Sequence, residues 1–155
     1  MNHSHMRRAI KLSRQAINTN LGGPFGAVVV RGDLVVAEGF NRVTSSLDPT
    51  AHAEVTAIRA ACTALGTHQL TDCEIYTSCE PCPMCLGAIY WSGITRIYFA
   101  NSREDAAAAG FSDQFLYEEI PLPVEQRTVP SVRLLGNEAL RVFDEWRAKQ
   151  DKIPY

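Results

Sequence analysis

The sequence predicts an α/β domain in which helices cover both faces of a mixed β-sheet. A Val-rich strand pair is followed along the chain by a helix, a strand, a second helix and another strand, an alternation typical of layered α/β proteins. The 155 residues, 46% of them hydrophobic, suffice for a core that buries about 70% of the surface of the unfolded chain. No repeat or long linker divides the sequence, so we expect a single domain over residues 1–155.

The first predicted elements are a helix and a hairpin. Apolar residues recur at helical spacing between residues 6 and 21, and Gly22-Gly23-Pro24 ends the pattern, which predicts a helix of about four turns. Residues 25–30 and 34–37 are rich in Val and flank Gly32-Asp33, a two-residue connection that suits a β-hairpin.

The middle of the chain carries two helices and two strands, and the last third is less regular. Residues 51–65 have apolar positions at helical spacing and stop at Gly66, a residue type that favours a helix end. A strand at 73–77, a helix from Pro81 or Cys82 to Trp91 and a strand at 95–100 follow. The remaining predicted elements are a short helix at 103–109, a Pro-broken stretch at 121–130, a strand at 132–135 and a last helix from 137 to about 149.

Charge and hydropathy argue against several functions. The 15 Lys and Arg against 17 Asp and Glu give a net charge of −2, which disfavours a protein that mainly binds nucleic acid, because phosphate binding needs clustered cations. No run of 18 apolar residues predicts a membrane span. The N-terminus lacks the apolar segment of a secretory signal, so we expect a cytoplasmic protein without a membrane partner.

The cysteines do not predict a disulfide framework. They are odd in number, and no secretory signal precedes them. In a reducing compartment, closely spaced thiols are interpreted first as metal ligands or catalytic groups. The five positions are Cys62, Cys73, Cys79, Cys82 and Cys85.

Two short motifs lie at the starts of the two middle helices. His52-Ala53-Glu54 opens the first helix and Pro81-Cys82-Pro83-Met84-Cys85 opens the second, and together they form the H-x-E…P-C-x-x-C pattern of zinc deaminases. Ligands from His52, Cys82 and Cys85 leave the fourth tetrahedral position of Zn²⁺ open, which distinguishes a catalytic zinc from a structural one. The pattern therefore predicts one catalytic zinc ion per subunit.

The residue types at these positions suit hydrolysis. Zinc prefers thiolates and imidazole, and a helix N-terminus lowers the pKa of a cysteine placed there. Water in the open position can reach a pKa of about 7 and act as hydroxide. Glu54 would take the proton from this water and deliver it to the substrate ring and the departing amine. Because positions i and i+2 of a helix do not share a face, His52 and Glu54 can converge only on a metal beyond the helix end.

Each half of the pattern also has a simpler interpretation. A His-x-Glu triplet occurs often by chance, and a lone C-x-x-C can be half of a structural zinc site or a redox pair. Cys79, Cys82 and Cys85 also resemble part of an iron–sulfur run. No fourth cysteine follows Cys85 and no second ligand pair exists in the sequence. The two halves together therefore favour a zinc hydrolase, with Cys79 and Glu80 as turn residues.

With the flanking Ser78-Cys79-Glu80, the two motifs resemble those of the cytidine and deoxycytidylate deaminase superfamily, and the likeness runs from Gly22 to about Ala100. It implies a three-layer αβα sandwich around a five-stranded mixed sheet, the cytidine deaminase-like fold. Within the superfamily the chain resembles bacterial guanine deaminases. The stretches that carry this likeness are residues 22–27, 48–59, 84–91 and 109–113 and the final Tyr155.

This resemblance implies how a purine would be bound. Asn41 would hydrogen-bond the purine edge, Phe25 and Trp91 would line the ring pocket, and the backbone N–H of Ala53 would contact the substrate. Asp113 would read the ring N–H groups and relay a second proton, whereas its spacing alone fits a helix cap.

The resemblance also implies a role for the C-terminal helix and tail, residues 137–155. This segment would close an active site and can be exchanged between the subunits of a homodimer, with Tyr155 as an aromatic lid. By spacing alone, the same residues would be taken for a frayed tail.

The implied reaction is the hydrolytic deamination of guanine to xanthine and ammonia, in which zinc-bound hydroxide attacks C2 and Glu54 shuttles protons. Deaminases of guanosine, cytosine or other aminated bases share the metal motif. So do tRNA adenosine deaminases, which usually carry a more basic surface than a chain of net charge −2. Outside the enzymes, a zinc-stabilised interaction module without turnover would use the same ligands.

Overall fold

The computed structural model describes residues 2–154 and confirms the predicted α/β class. No helix among these residues is long and apolar enough to cross a membrane. A 3₁₀ turn lies at Val124–Gln126. The helices and strands, in chain order, are α1 (His3–Asn18), β1 (Gly26–Arg31), β2 (Leu34–Phe40), α2 (Val43–Ser46), α3 (Ala53–Leu65), β3 (Glu74–Cys79), α4 (Pro83–Ser92), β4 (Arg96–Asn101), α5 (Arg103–Ala108), α6 (Gln114–Glu119) and α7 (Gly136–Ala148).

The strands form one mixed sheet in the order β2-β1-β3-β4. β1 is antiparallel to both β2 and β3, and the predicted hairpin is confirmed. β3 and β4 are parallel, with α4 in the crossover between them. Parallel strands end at the same edge of a sheet, so the turns that follow β3 and β4 are neighbours.

Helices cover both faces of the sheet, as the alternating side chains of β1 require. On one face, Val28 and Val30 pack with Ala9 of α1 and Tyr76 of β3. On the other face, Val29 belongs to a core that also includes residues of α3 and α4. The layers are therefore α1, the sheet, and α3 with α4.

Gly39 allows α3 to approach β2 closely at the start of the helix. A Cβ atom on Gly39 would lie 2.4 Å from the carbonyl oxygen of Ala53 and 2.6 Å from the backbone nitrogen of Ala57. Such distances leave no room for a side chain, because packed interiors do not accommodate atoms this close. Glycine at this position lets the first turn of α3, which carries Glu54, rest directly on the sheet.

The expected number of strands is wrong: the sheet of the described residues has four strands rather than five. The predicted strand at 132–135 does not form. Pro130 lacks a backbone donor, Leu135 has a left-handed backbone with φ of 52°, and the side chains of Val132 and Leu134 are exposed. β-branched and apolar residues favour a strand only where they pack against a neighbour, whereas these two side chains are exposed.

The chain divides into two compact units, Met1–Tyr117 and Glu118–Tyr155. The four-stranded sheet belongs to the first unit, and the second contains α7. Within α7, the exposed side chains include Leu140, Phe143 and Trp146. A single domain over the whole chain stays a prediction.

Candidate metal centre and active-site cavity

The two sequence motifs lie at the beginnings of α3 and α4. His52 is the residue before α3 and has an extended backbone, and Cys82 has the same position before α4. Cys85 lies in the first turn of α4, which begins at Pro83, a residue type suited to the first helical position. Both helix N-termini therefore point their unpaired N–H groups toward the same group of ligands.

His52, Cys82 and Cys85 form a group that can hold a metal ion, with all ligand atoms within 4.8 Å of one another. The Nδ1 atom of His52 lies 3.6 Å from Sγ of Cys82 and 3.5 Å from Sγ of Cys85. Tetrahedral zinc, with Zn–N bonds of about 2.0 Å and Zn–S bonds of about 2.3 Å, separates nitrogen and sulfur ligands by about 3.6 Å. The residues present thus fit zinc.

Hydrogen bonds between these groups keep one thiol ionised. The pKa of Cys82 is lowered to about 4, chiefly by its contact with the Cys85 side chain and also by its hydrogen bond with His52. The same contact with Cys82, together with burial, raises the pKa of Cys85. The pKa of His52 is raised by its hydrogen bond to Cys82. The Cys82 thiolate is the form of cysteine that binds metals.

Glu54 is buried beside the metal group. Its Oε2 atom accepts a hydrogen bond of 3.4 Å from the Cys85 thiol, and burial raises the pKa of its carboxyl. Glu54 is in the first turn of α3, whereas His52 precedes the helix. The two side chains meet because His52 lies beyond the helix end, the arrangement that the i, i+2 spacing required.

A cavity of about 420 Å³ opens beside this group, within the first unit. Its volume is in the range of small-molecule sites. His52 and Cys82 line it, whereas Cys85 lies beneath them, fully buried. The sequence-predicted residues that line the cavity are Phe25, Asn41, His52, Glu54, Cys82 and Asp113.

Asn41 is held in place by backbone donors. Its Oδ1 atom accepts hydrogen bonds from the N–H groups of Gly23 at 3.1 Å and Val43 at 3.3 Å. Its own backbone N–H donates to the carbonyl of Phe25 at 3.0 Å. With Oδ1 occupied, the Nδ2 amino group is the end of the side chain that can donate to a ligand in the cavity.

Asp113 and the rings of Phe25 and Phe111 also line the cavity. Asp113 directly precedes α6, and burial raises the pKa of its carboxyl, with the nearby Cys82 adding to the effect. The rings of Phe25 and Phe111 meet edge to face, with centroids 5.0 Å apart and an interplanar angle of 87°. The cavity therefore combines an apolar wall with a carboxylate and an amide.

Two other predicted residues, Ala53 and Trp91, are not among the described residues that line the cavity. Ala53 begins α3 between His52 and Glu54, with its side chain fully buried in the core. Trp91 is on α4, and its side chain is 76% exposed. Tyr155 lies outside the described residues. The contacts expected of these three with a substrate stay predictions.

The segment from Arg103 to Leu116 contributes lining residues that the sequence did not identify, among them Phe111, Phe115 and Leu116. Helix α6 was not predicted, because six residues are too few to show a clear period. The spacing of four between Phe111 and Phe115, on either side of Asp113, was the signal available for an apolar surface around this carboxylate.

Comparison with known proteins places these features in a family. A family model, the cytidine and deoxycytidylate deaminase zinc-binding region, matches residues 1–101. The guanine deaminase of Bacillus subtilis (strain 168) is 53% identical over an alignment of 156 positions, which covers 100% of both chains. The X-ray structure of guanine deaminase from Bacillus subtilis has a TM-score of 0.97 and 52% identity, covering 100% of this chain and 99% of that one.

Other relatives match a smaller part of the chain. A solved guanine deaminase from Nitrosomonas europaea has a TM-score of 0.70 and 38% identity over 73% of this chain and 65% of that chain. A tRNA-specific adenosine deaminase of Agrobacterium fabrum (strain C58) is 45% identical over 49% of this chain and 50% of its own length. The segment around Asp113 lies beyond the family-model match but within the full-length alignment to the Bacillus subtilis protein.

Proposed function

Because the chain belongs to the cytidine and deoxycytidylate deaminase family, we propose that it is a hydrolase that converts guanine and water to xanthine and ammonia. The observation that carries the proposal is the full-length similarity to a guanine deaminase. The cavity supports it, because Asp113 and Asn41 line the same space as the metal group. The proposed substrate is a free purine base, so the reaction requires neither a nucleic-acid-binding surface nor a membrane.

We propose that His52, Cys82 and Cys85 hold one zinc ion in each subunit. Zinc bound there would supply Lewis acidity that lowers the pKa of water toward about 7. The distances between the ligand atoms and the ionised Cys82 support this assignment. Reduced thiols fit the cytoplasm, the compartment that we propose for the protein.

Glu54 is the proposed proton carrier. Its carboxylate takes a proton from the attacking water as the C2–O bond forms, and delivers it to ring nitrogen N3. The second proton of the water goes through Glu54 to the 2-amino group, the C2–N bond breaks, and ammonia leaves. The burial of Glu54 within 3.4 Å of the Cys85 thiol supports this role.

The other lining residues orient the purine. We propose that the Nδ2 group of Asn41 donates to an acceptor on the purine edge, and that the ring of Phe25 packs against the base. The backbone N–H of Ala53 is proposed to donate to the substrate as well. Asp113 accepts from the ring N–H groups, because a buried donor without a partner would cost about 1–3 kcal/mol.

We further propose a homodimer in which the C-terminal helix and tail, residues 137–155, are exchanged between subunits. The exposed apolar side chains of α7, Leu140, Phe143 and Trp146, support this proposal, because a second subunit would cover them. Trp91, exposed on α4, and Tyr155 would then complete an active site and exclude water from it.

Metal analysis followed by an ammonia-release assay tests the proposed function. We expect about one zinc per chain and release from guanine, with guanosine, adenine, cytosine and cytidine at least roughly 10²-fold poorer in kcat/KM, since a site built to hydrogen-bond one base leaves polar groups unpaired with another. Preferred release from another compound would overturn the substrate assignment. Zinc without release from any of them would identify a non-catalytic zinc module.

Replacing Asp113 with alanine should lower kcat/KM for guanine by roughly 10²-fold or more, because ring donors would lose their buried acceptor. The measurement is steady-state ammonia release at matched zinc content. Asp33→Asn, in the β1–β2 turn away from the cavity, is the control and should stay within about twofold of the unaltered protein. Unchanged kinetics in Asp113→Ala would reduce this residue to a helix-capping role.

A further inference from the structure

Arg103 is hydrogen-bonded to the turn that precedes the proposed metal ligand Cys82. It is the first residue of α5, directly after β4. The backbone N–H of Glu80 donates to the carbonyl of Asn101 at 2.8 Å, and the backbone N–H of Arg103 donates to the Glu80 carboxylate at 3.2 Å. Because β3 and β4 are parallel neighbours, these bonds join the turn before Cys82 to the start of α5.

The side chain of Arg103 extends from α5 to α6. Its Nη2 atom donates to Oε1 of Gln114 at 2.9 Å, and its guanidinium carbon lies 4.3 Å from the centre of the Tyr117 ring. Its Nε atom is 3.4 Å from the exposed carboxylate of Glu104. A guanidinium can donate in one direction and stack in another at the same time, so Arg103 contacts both ends of a short helical turn.

Asp113 lies at the start of that turn. Its carbonyl accepts a hydrogen bond from the N–H of Leu116 at 2.9 Å, so its backbone belongs to the same turn as Gln114. On the other side, Phe111 donates its N–H to the carbonyl of Ala106 at 2.9 Å. A six-residue helix has little stability of its own, and its placement therefore depends on contacts such as those of Arg103.

We propose that Arg103 is a positioning residue that fixes the first turn of α6 and thereby holds Asp113 over the cavity. The inference rests on the proposed function for its kinetic consequence. Arg103 itself lines the cavity and attracts the Asp113 carboxylate electrostatically, while its side-chain contacts on α6 are to Gln114 and Tyr117, which follow Asp113. A shift of about 1 Å in a positioned group can cost as much as about 10²-fold in rate.

Steady-state kinetics of Arg103→Ala test the proposal. We expect a decrease of roughly 10-fold or more in kcat/KM for guanine at unchanged zinc content. Arg103→Lys should recover only part of it, because lysine keeps the charge but not the planar fork. Arg96→Ala is the matched control, since Arg96 also lies near a tyrosine hydroxyl and a glutamate but outside the cavity, and it should stay within about twofold.

A double-mutant cycle separates positioning from general stability. In the Asp113→Ala background, Arg103→Ala should change kcat/KM by less than about twofold, because the group that it positions is gone. A full additive loss would overturn the inference, as would a loss in Arg96→Ala equal to that in Arg103→Ala. Tyr117 offers a second test: Tyr117→Leu removes both the stacking surface and the hydroxyl that hydrogen-bonds to Arg103, and it should resemble Arg103→Ala.

Hydrogen exchange without substrate keeps the inference distinct from the proposed function. Amides of residues 110–117 should exchange at least about 10-fold faster in Arg103→Ala than in the unaltered protein or Arg96→Ala. Unchanged exchange would overturn the positioning role even if guanine is the substrate. Faster exchange in a protein that releases no ammonia from guanine would retain the positioning role and reject the proposed function.

Discussion

Glu54→Gln is expected to retain zinc and lose nearly all turnover of guanine, with kcat reduced roughly 10³- to 10⁴-fold. A glutamine has nearly the same shape and can still accept the hydrogen bond from Cys85, but it cannot accept and return a proton. General acid–base catalysis by a positioned side chain contributes about 10²- to 10⁴-fold, and in the proposed mechanism Glu54 carries out two proton transfers. Ammonia release and metal content, measured on the same sample, check the result.

Loss of folding is not the expected cause of this effect. Burial raises the pKa of Glu54, so its ionised form is less stable in the folded protein than in water at neutral pH, and a neutral glutamine removes that cost. We therefore expect Glu54→Gln without metal to unfold at no lower temperature than the unaltered chain. Glu74→Gln, at the start of β3 and outside the cavity, is the kinetic control. Full activity in Glu54→Gln would defeat the assignment of the proton carrier.

The metal group could be predicted because it is encoded locally. His52 and Cys82 each precede a helix, and Cys85 follows within one turn, so the helix starts determine where these side chains point. The ligand types then favour zinc, since thiolates and imidazole both suit this metal. Periodicity likewise predicted the hairpin and the helices on both sides of the sheet.

The edge of the sheet and the last third of the chain could not be predicted in the same way. Val132 and Leu134 have the composition of a strand, but composition does not supply a neighbouring strand, and the left-handed backbone of Leu135 interrupts an extended course. Helix α6 is a six-residue turn, which depends on contacts made from other elements. Tertiary contacts decide such short segments.

The cavity depends even more on tertiary structure. Asn41 follows β2 and Asp113 precedes α6, and no local pattern connects them with the metal group. The resemblance to guanine deaminases identified both residues. Phe111 and Leu116, which also line the cavity, carry no chemical motif, and only the packing around the metal group shows that they lie there.

Cys82→Ala is expected to lose both zinc and activity while the chain stays folded. Cys82 is one of three proposed ligands, and its pKa of about 4 keeps it as a thiolate. Its removal should weaken zinc binding at least about 10³-fold, since metal affinity depends on the number of deprotonated ligands. The Cys82 side chain is not part of the hydrophobic core on either face of the sheet. Cooperative thermal unfolding should therefore persist, at a temperature lowered by the lost binding energy.

Cys62→Ala is the matched control, because Cys62 is half-buried on α3 and is not part of the metal group. It should keep one zinc per chain and full ammonia release. If Cys82→Ala also kept one zinc per chain, Cys82 would not be a ligand. If Cys82→Ala lost zinc and still released ammonia from guanine at the normal rate, the reaction would not need the zinc ion. Loss of zinc and activity together, in a chain that unfolds cooperatively, fits only a metal that serves the reaction rather than the fold.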